Sequence, residues 1–347
     1  TFSKKSMRRL FLLIFSLTCL QVVFGQDALP LFSDTVPVRI HIHTDLRGLT
    51  RDVADDREYH LAKVNYGGVK TDSLEVDVRL KTRGNFRRQR SVCTFPPILL
   101  NFKKDSVKGT LFEGINKIKL VTHCQNKRSR YEQIVLQEHI LYRAYAAVAP
   151  IHFRTRLARI TYHDIKRPAD TLTRWGMFIE PTKVMAKRNL GKEVEIPGLK
   201  PQNTDRLSSE LSYIFAYMVG NTDFSIPYQH NVKLLQTETN PKPYPVPYDW
   251  DWCGLINAPY AVPNPALNLA NVQQRLYRGF CWPEDEQRDA VQHLLDSREK
   301  LVAIVGSEPG LSTKIRTQML KYLDSFFNIA ENPKLVERKI IRECRAF

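Results

Sequence analysis

The chain has 347 residues, of which 43% are hydrophobic, 10% aromatic and 25% charged. Those proportions exclude a wholly disordered or collagen-like chain and allow one large domain or two lobes of ordinary size. Lys and Arg number 52 against 36 Asp and Glu, a net charge of +16, which favours acidic partners such as phosphates, anionic envelope polymers or acidic proteins. No long Lys/Arg tract or zinc-finger spacing occurs, so no specific nucleic-acid partner is expected.

Residues 1–25 read as a bacterial-type signal peptide. Lys4, Lys5, Arg8 and Arg9 precede an apolar stretch at 10–20, and Val23-Phe24-Gly25 closes it. Ser16-Leu17-Thr18 before Cys19 is a poor lipobox, so cleavage after Gly25 is expected rather than lipidation. The segment holds four cations and no anions, so the remainder carries +12. Beyond residue 25 no uncharged apolar run reaches the length of a membrane span. The expected location is therefore the periplasm, cell surface or medium. Five Cys follow the segment (Cys93, Cys124, Cys253, Cys281 and Cys344). Export permits disulfides, and an odd number leaves at least one thiol unpaired within the chain.

In chain order, Val38, Ile40 and Ile42 alternate with Arg39, His41 and His43, and the same period of two recurs at 74–81, 98–102 and 115–121. That period predicts half-buried antiparallel strands. His41 and His43 share one strand face; the expectation is the solvent side, with metal binding as the other use. A helix is predicted at 130–148, its apolar stripe interrupted by Glu138, which must be paired or neutralised unless it reaches water. Strands are predicted at 151–165 and 174–180. A second helix at 205–219 has Asn203 or Thr204 as cap and Gly220 at its end. A polar loop at 221–230 and a strand at 232–235 follow. Residues 240–247, with four prolines, are expected to be extended and exposed. Helices are predicted near 284–305 and 311–329. The fold class is therefore α+β and bilobal. A strand-rich lobe at 26–180 carries the buried helix, and a helix-rich lobe occupies 181–347.

Three groups of residues carry chemistry. Lys117 and Lys119 lie on one strand ahead of Glu138, and a strand lysine paired with a helix glutamate holds phosphates in protein kinases. Asp223 follows a helix with Asn231 beyond it; such an Asp can accept a hydroxyl proton, and the Asn amide oxygen suits Mg²⁺. Asp249 and Asp251 are two hard-oxygen ligands for the same ion. The usual kinase strings GxGxxG, HRD and DFG are absent.

Four stretches together resemble the CotH kinase family, the spore-coat protein H-like atypical kinases. They are Leu80-Lys81-Thr82-Arg83-Gly84-Asn85; Lys117-Ile118-Lys119-Leu120 with Arg130 downstream; Gly176-Met177-Phe178-Ile179-Glu180; and Asn221-Thr222-Asp223 with Asn231, followed by Pro247-Tyr248-Asp249-Trp250-Asp251. Tyr248 stands where that family usually has Trp, and Pro227 sits inside the loop. The resemblance implies a bilobal protein-kinase-like fold, ATP and Mg²⁺ as cofactors, and transfer to Ser/Thr hydroxyls of a protein. It implies Asp223 as base, Lys119 or Lys117 on the phosphates, Glu138 as partner of the lysine, and Arg83 as a further phosphate contact. Asn231, Asp249 and Asp251 would hold metal, and Glu180 would lie near the adenine. The rival reading is a catalytically inactive, exported kinase-like scaffold binding acidic envelope polymers or a partner protein. A hydrolase using Asp249 and Asp251 ranks last, because carboxylates at i,i+2 of a strand share one face and cannot flank a scissile bond.

Overall fold

The structure, a computed structural model, describes residues 29–67 and 74–347. The signal-peptide expectation at 1–25 lies outside the described residues.

Seven strands form the first half: β1 (Val38–Thr44), β2 (His60–Tyr66), β3 (Leu74–Thr82), β4 (Ile98–Phe102), β5 (Lys117–Val121), β6 (Thr155–Asp164) and β7 (Thr171–Ile179). They are ordered β1-β2-β3-β4-β5-β7-β6, and β6 returns to β1, closing a barrel. Every pairing is antiparallel except this last, which runs parallel from Val38↔Ala158 to Thr44↔Asp164. The alternating residues Ile40, Ile42, Val64, Val78, Leu80, Leu100, Ile118, Leu120, Ile160 and Tyr162 point inward and form one core with Phe102, Phe112 and Phe178.

This closed mixed barrel overturns the expected bilobal protein-kinase-like fold. Period-two alternation marks a strand with one buried face, and that face looks the same in an open sheet and in a barrel. It carries no information on which strands meet at the edges. Here the first strand is paired on both sides, with β2 and with β6, so these seven strands do not form an open sheet.

The helix α1 (Leu46–Arg51) is capped by Asp45, whose carboxylate accepts from Gly48 N at 2.9 Å. The long helix α2 (Ser129–Val148) packs on β6 and β7 and is buried without a break from Ile134 to Tyr142. Its apolar stripe is flanked by buried polar groups that are bonded one by one. Gln137 is held by Arg130 and the Leu255 and Ile256 carbonyls, and His139 meets Glu308 at 2.6 Å.

Beyond the barrel come α3 (Thr182–Arg188), β8 (Gly191–Val194), α4 (Arg206–Val219), β9 (Val232–Thr237) and β10 (Tyr244–Pro247). The three strands form a small antiparallel sheet in the order β10-β9-β8. Helices α5 (Glu284–Asp296), α6 (Arg298–Ser307), α7 (Thr313–Ala330) and α8 (Pro333–Val336) complete the chain and share the core of α2. The cap of α4 is Asp205, which accepts from Ser208 N at 2.9 Å, rather than Asn203 or Thr204. Gly220 ends that helix at φ 69°, where a Cβ would lie 2.2 Å from Tyr322 Oη. The expected exposure of 240–247 is also corrected at its end. Pro245, Val246 and Pro247 are buried in an edge strand, a sheet position that tolerates residues lacking an N–H.

Two disulfides, Cys93–Cys124 and Cys281–Cys344, leave Cys253 free and buried. Such bonds persist in oxidising compartments and are rare in reducing ones. Among the described residues no helix is long and apolar enough to cross a membrane.

Candidate functional site

Four segments meet beside the barrel where β5 and the chain just past β10 line one pocket. The first is β5 itself. Its inward residues Ile118 and Leu120 fix the strand, so Lys117 and Lys119 point outward. Lys119 is largely desolvated, and burial with the nearby Arg83 charge pulls its ammonium down to about 8. Its Nζ lies 5.3 Å from the Tyr248 ring centroid.

The second segment is the loop after β3. Arg83 N donates to Pro97 O at 2.8 Å, and the Cys93–Cys124 bridge ties the far end of the loop to the chain just past β5. The loop thereby holds two arginines. Arg87 donates to Thr122 O at 2.8 Å and lies 3.5 Å from Asp251 Oδ2. The Arg83 guanidinium lines a pocket of about 190 Å³ together with Lys119, Glu180, Lys233, Tyr248 and Asp249.

The third segment is α2. Glu138 is fully buried, and among the described residues neither of its carboxylate oxygens has a hydrogen-bond partner. Burial and the charges of Asp251 and Asp249 hold its carboxyl well above the usual range, against the pull of Arg87 and Arg83. One turn on, the Tyr142 hydroxyl accepts the backbone N–H of Asp249 at 3.0 Å.

The fourth segment leaves β10. Tyr248 N donates to Asn231 O at 3.0 Å, and Asp249 adopts φ 63°, a left-handed conformation costly for a residue with a Cβ. That turn directs Asp249 to the pocket. Asp251 is buried and accepts from the Tyr260 hydroxyl at 2.7 Å. Burial and the Asp249 charge push it up to about 6.

Asp223 joins this array through Asn231. The Asn231 amide donates to both the backbone and the side chain of Asp223, and its carbonyl takes the Tyr248 N–H. The other Asp223 oxygen meets His230 Nε2 at 3.0 Å. Asp223 opens onto a groove of about 640 Å³ that also holds Tyr228, His230, Trp252 and Arg278. The groove and the smaller pocket thus flank the strip Tyr248–Trp252.

Arg83, Lys119 and Asp249 therefore face one pocket, with Glu138 among the charges around it and Asp223 and Asn231 adjoining. Two expected arrangements take a different form. Lys119 makes no ion pair with Glu138 among the described residues; the cations that act on Glu138 are Arg87 and Arg83. Glu180 lines the pocket, but its carboxylate is committed to Arg154 N at 2.9 Å and to the Arg188 guanidinium at 2.9 and 3.0 Å. Lys117 also lines the pocket, at its exposed side. Sequence reasoning missed Arg87, Tyr142, His230, Tyr260 and Arg278. Arg87 stands four residues after Arg83, the one signal available; the others carry none. Among the described residues no three His, Cys, Asp or Glu side chains are grouped to hold a metal ion by themselves.

No protein-family model matches the chain, and no curated protein matches it. Among solved structures, the chain is similar to the proinflammatory kinase CtkA of Helicobacter pylori at 10% identity and a TM-score of 0.40, covering 71% of this chain and 92% of that one. A likeness of that degree carries no argument about this molecule.

Proposed function

We propose that this exported chain transfers a phosphoryl group from ATP, with Mg²⁺, to a Ser or Thr hydroxyl of a protein. The observation that carries the reading is the gathering of Arg83, Lys119 and Asp249 on one pocket whose neighbouring carboxylate, Glu138, has two buried oxygens and no partner. A buried carboxyl without a partner stays protonated, and a cationic guest beside it would favour its ionised form. Two cations and a carboxylate on one wall suit a polyphosphate carrying a divalent ion.

Fit supports the phosphate end of the nucleotide in particular. About 190 Å³ is below the roughly 300–1,000 Å³ usual for whole small-molecule sites, so the base would lie on the open rim by Ile179–Thr182. Arg83 and Lys119 would hold the phosphates. Asn231 and Asp249 would supply oxygen ligands for Mg²⁺, with Asp251 behind them, and one or two carboxylates plus phosphate oxygens suffice for that ion. When bound, Mg²⁺ neutralises charge on the phosphates. Asp223, fixed by Asn231, would orient the acceptor hydroxyl and take its proton.

The test pairs binding with transfer. ATP with Mg²⁺ should raise the melting temperature of the wild-type chain, and labelled phosphate should pass to itself or to a basic Ser-rich protein. Asp223→Ala should abolish transfer and keep the melting shift. A wild-type protein with neither shift nor transfer overturns the reading and leaves the scaffold alternative.

A further inference from the structure

A second cleft opens between α2 and α7 and shares no lining residue with the pocket or the groove described above. Its volume is about 880 Å³, within the roughly 300–1,000 Å³ of sites that take a ligand. The N-terminal end of α2 contributes Ser129, Arg130 and Gln133. One face of α7 contributes Lys314, Gln318, Lys321 and Ser325, the i, i+4, i+7, i+11 stripe of a helix. Buried Leu255, Ile256 and Ile315 add apolar surface. Gln133 ties the two walls together: its amide nitrogen donates to Gly310 O at 3.1 Å, and its oxygen accepts from Ser312 N at 2.7 Å.

Three cations and no carboxylate line this cleft. Arg130 is held by neutral acceptors alone, the Gln137 side-chain oxygen and the Ile256 and Asn257 carbonyls at 2.6 and 3.2 Å. Burial pulls its guanidinium below the ordinary value, so its charge is desolvated without a counter-ion. An anion brought to such a cation stabilises it. Lys314 and Lys321 are exposed, and among the described residues neither makes an ion pair. Asp324, the one acid on α7, is held instead by Arg298 at 2.6 Å.

The distribution of charge selects the ligand. A phosphate group needs donors that converge on it, and the Arg130 fork is already engaged by three acceptors. The two lysines stand two helical turns apart, about 10.5 Å along the axis. A peptide in the polyproline II conformation repeats its faces every three residues, over about 9 Å, so carboxylates at i and i+3 would meet both ammoniums. The exposed side-chain amides of Asn257, Gln273 and Gln318 make no hydrogen bond among the described residues. Each offers a donor and an acceptor, the complement of a peptide backbone. A polysaccharide would pack its rings on an open aromatic face. The one ring here, Tyr322, is stacked by the Arg275 guanidinium, 3.9 Å from its centroid, and its hydroxyl is engaged by Gln273 O at 3.0 Å.

We propose that this cleft docks an acidic peptide segment of a partner protein, with carboxylates three residues apart against Lys314 and Lys321 and another toward Arg130. The site stands whether or not the pocket of Arg83 and Lys119 binds ATP.

Fluorescence anisotropy of the full chain with a labelled peptide carrying Glu at every third position tests this. The expected result is saturable binding of one peptide per chain. Lys314→Glu with Lys321→Glu should lower affinity at least tenfold and leave the melting temperature unchanged. Lys104→Glu with Lys108→Glu, an exposed pair outside the cleft with the same change in charge, should lower it less than threefold. Unchanged affinity in the first double variant, or an equal loss in both, overturns the proposal. So does a cleft that ignores the peptide and binds an anionic polysaccharide with the loss confined to the first variant. Should that variant fail to fold, a photo-reactive peptide on wild type keeps the test open: adducts lying outside 129–137, 255–257, 273 and 312–325 overturn it equally.

Discussion

The Asn231 amide donates at once to the backbone carbonyl of Asp223, at 2.8 Å, and to its carboxylate Oδ2, at 3.0 Å. Asn231 makes both bonds from a left-handed backbone, φ 53°, which Asn tolerates better than most residues. Asn231→Ala should therefore cost about 1–3 kcal/mol through two lost hydrogen bonds and backbone strain. Asn231→Gly removes the strain and keeps the bond loss, so it should fall between the two. Urea unfolding of the three proteins measures the order.

Glu138 makes a second prediction. Its folded-state carboxyl is raised by burial and by Asp251 and Asp249. A raised acid is protonated in the native state where the unfolded chain is ionised, so stability falls as pH climbs above the unfolded value. Glu138→Gln should therefore raise the melting temperature more at pH 8 than at pH 5. The same substitution should weaken the melting shift caused by ATP and Mg²⁺, because a nearby cation would favour the ionised carboxylate and an amide has no proton to release.

Lys119 predicts a pH limb in binding. Its ammonium, held at about 8 by burial and Arg83, loses charge as pH rises through that value. Anion affinity should fall above pH 8, and binding there should take up a proton. Calorimetry in buffers of different ionisation enthalpy detects the uptake, and Lys119→Met should remove it.

Glu210 links α4 to the segment before α5. The Tyr277 hydroxyl donates to its Oε1 at 2.7 Å, Oε2 has no hydrogen-bond partner among the described residues, and burial pushes the carboxyl up to about 7. The folded value exceeds the unfolded one, so the contribution is fully present below the unfolded value and is lost as pH rises toward 7. The loss is on the order of 3 kcal/mol. Glu210→Gln should flatten that slope in urea titrations at pH 5 and pH 8.

The Cys281–Cys344 bridge spans 63 residues. Chain entropy assigns such a crosslink roughly 4 kcal/mol. Replacing both Cys by Ser should lower stability by a comparable amount. It should also loosen the backbone pairing of Arg345 with Gly279 and Cys281, visible as faster amide exchange there.

Local periodicity made the elements legible. The helix expected at 130–148 lies at Ser129–Val148, and that expected at 205–219 lies at Arg206–Val219. The strands followed because Ile40, Leu80 and Leu120 each had to leave water on alternate positions. Closure of the barrel was not legible, since Val38 and Ala158 carry no mark of their pairing. At the site, Asp223 and Asn231 were grouped by their order along the chain, and they touch. The partners of Glu138 were misread because Arg83 and Arg87 sit in a loop without period, placed by the Cys93–Cys124 bridge and the Thr122 carbonyl. Tyr142 and Tyr260 looked like ordinary core aromatics, and only the packed chain shows what their hydroxyls meet.

The parallel seam has a kinetic meaning as well. Its two strands are separated by some 120 residues, as the 122-residue spacing of His41 and His163 records. Contacts so distant along the chain form late, because a long loop must be ordered before they repay it. Until β6 arrives, β1 presents a bare edge able to recruit strands from neighbouring molecules. Refolding of this protein at high concentration is therefore a race between completing its own cylinder and aggregating.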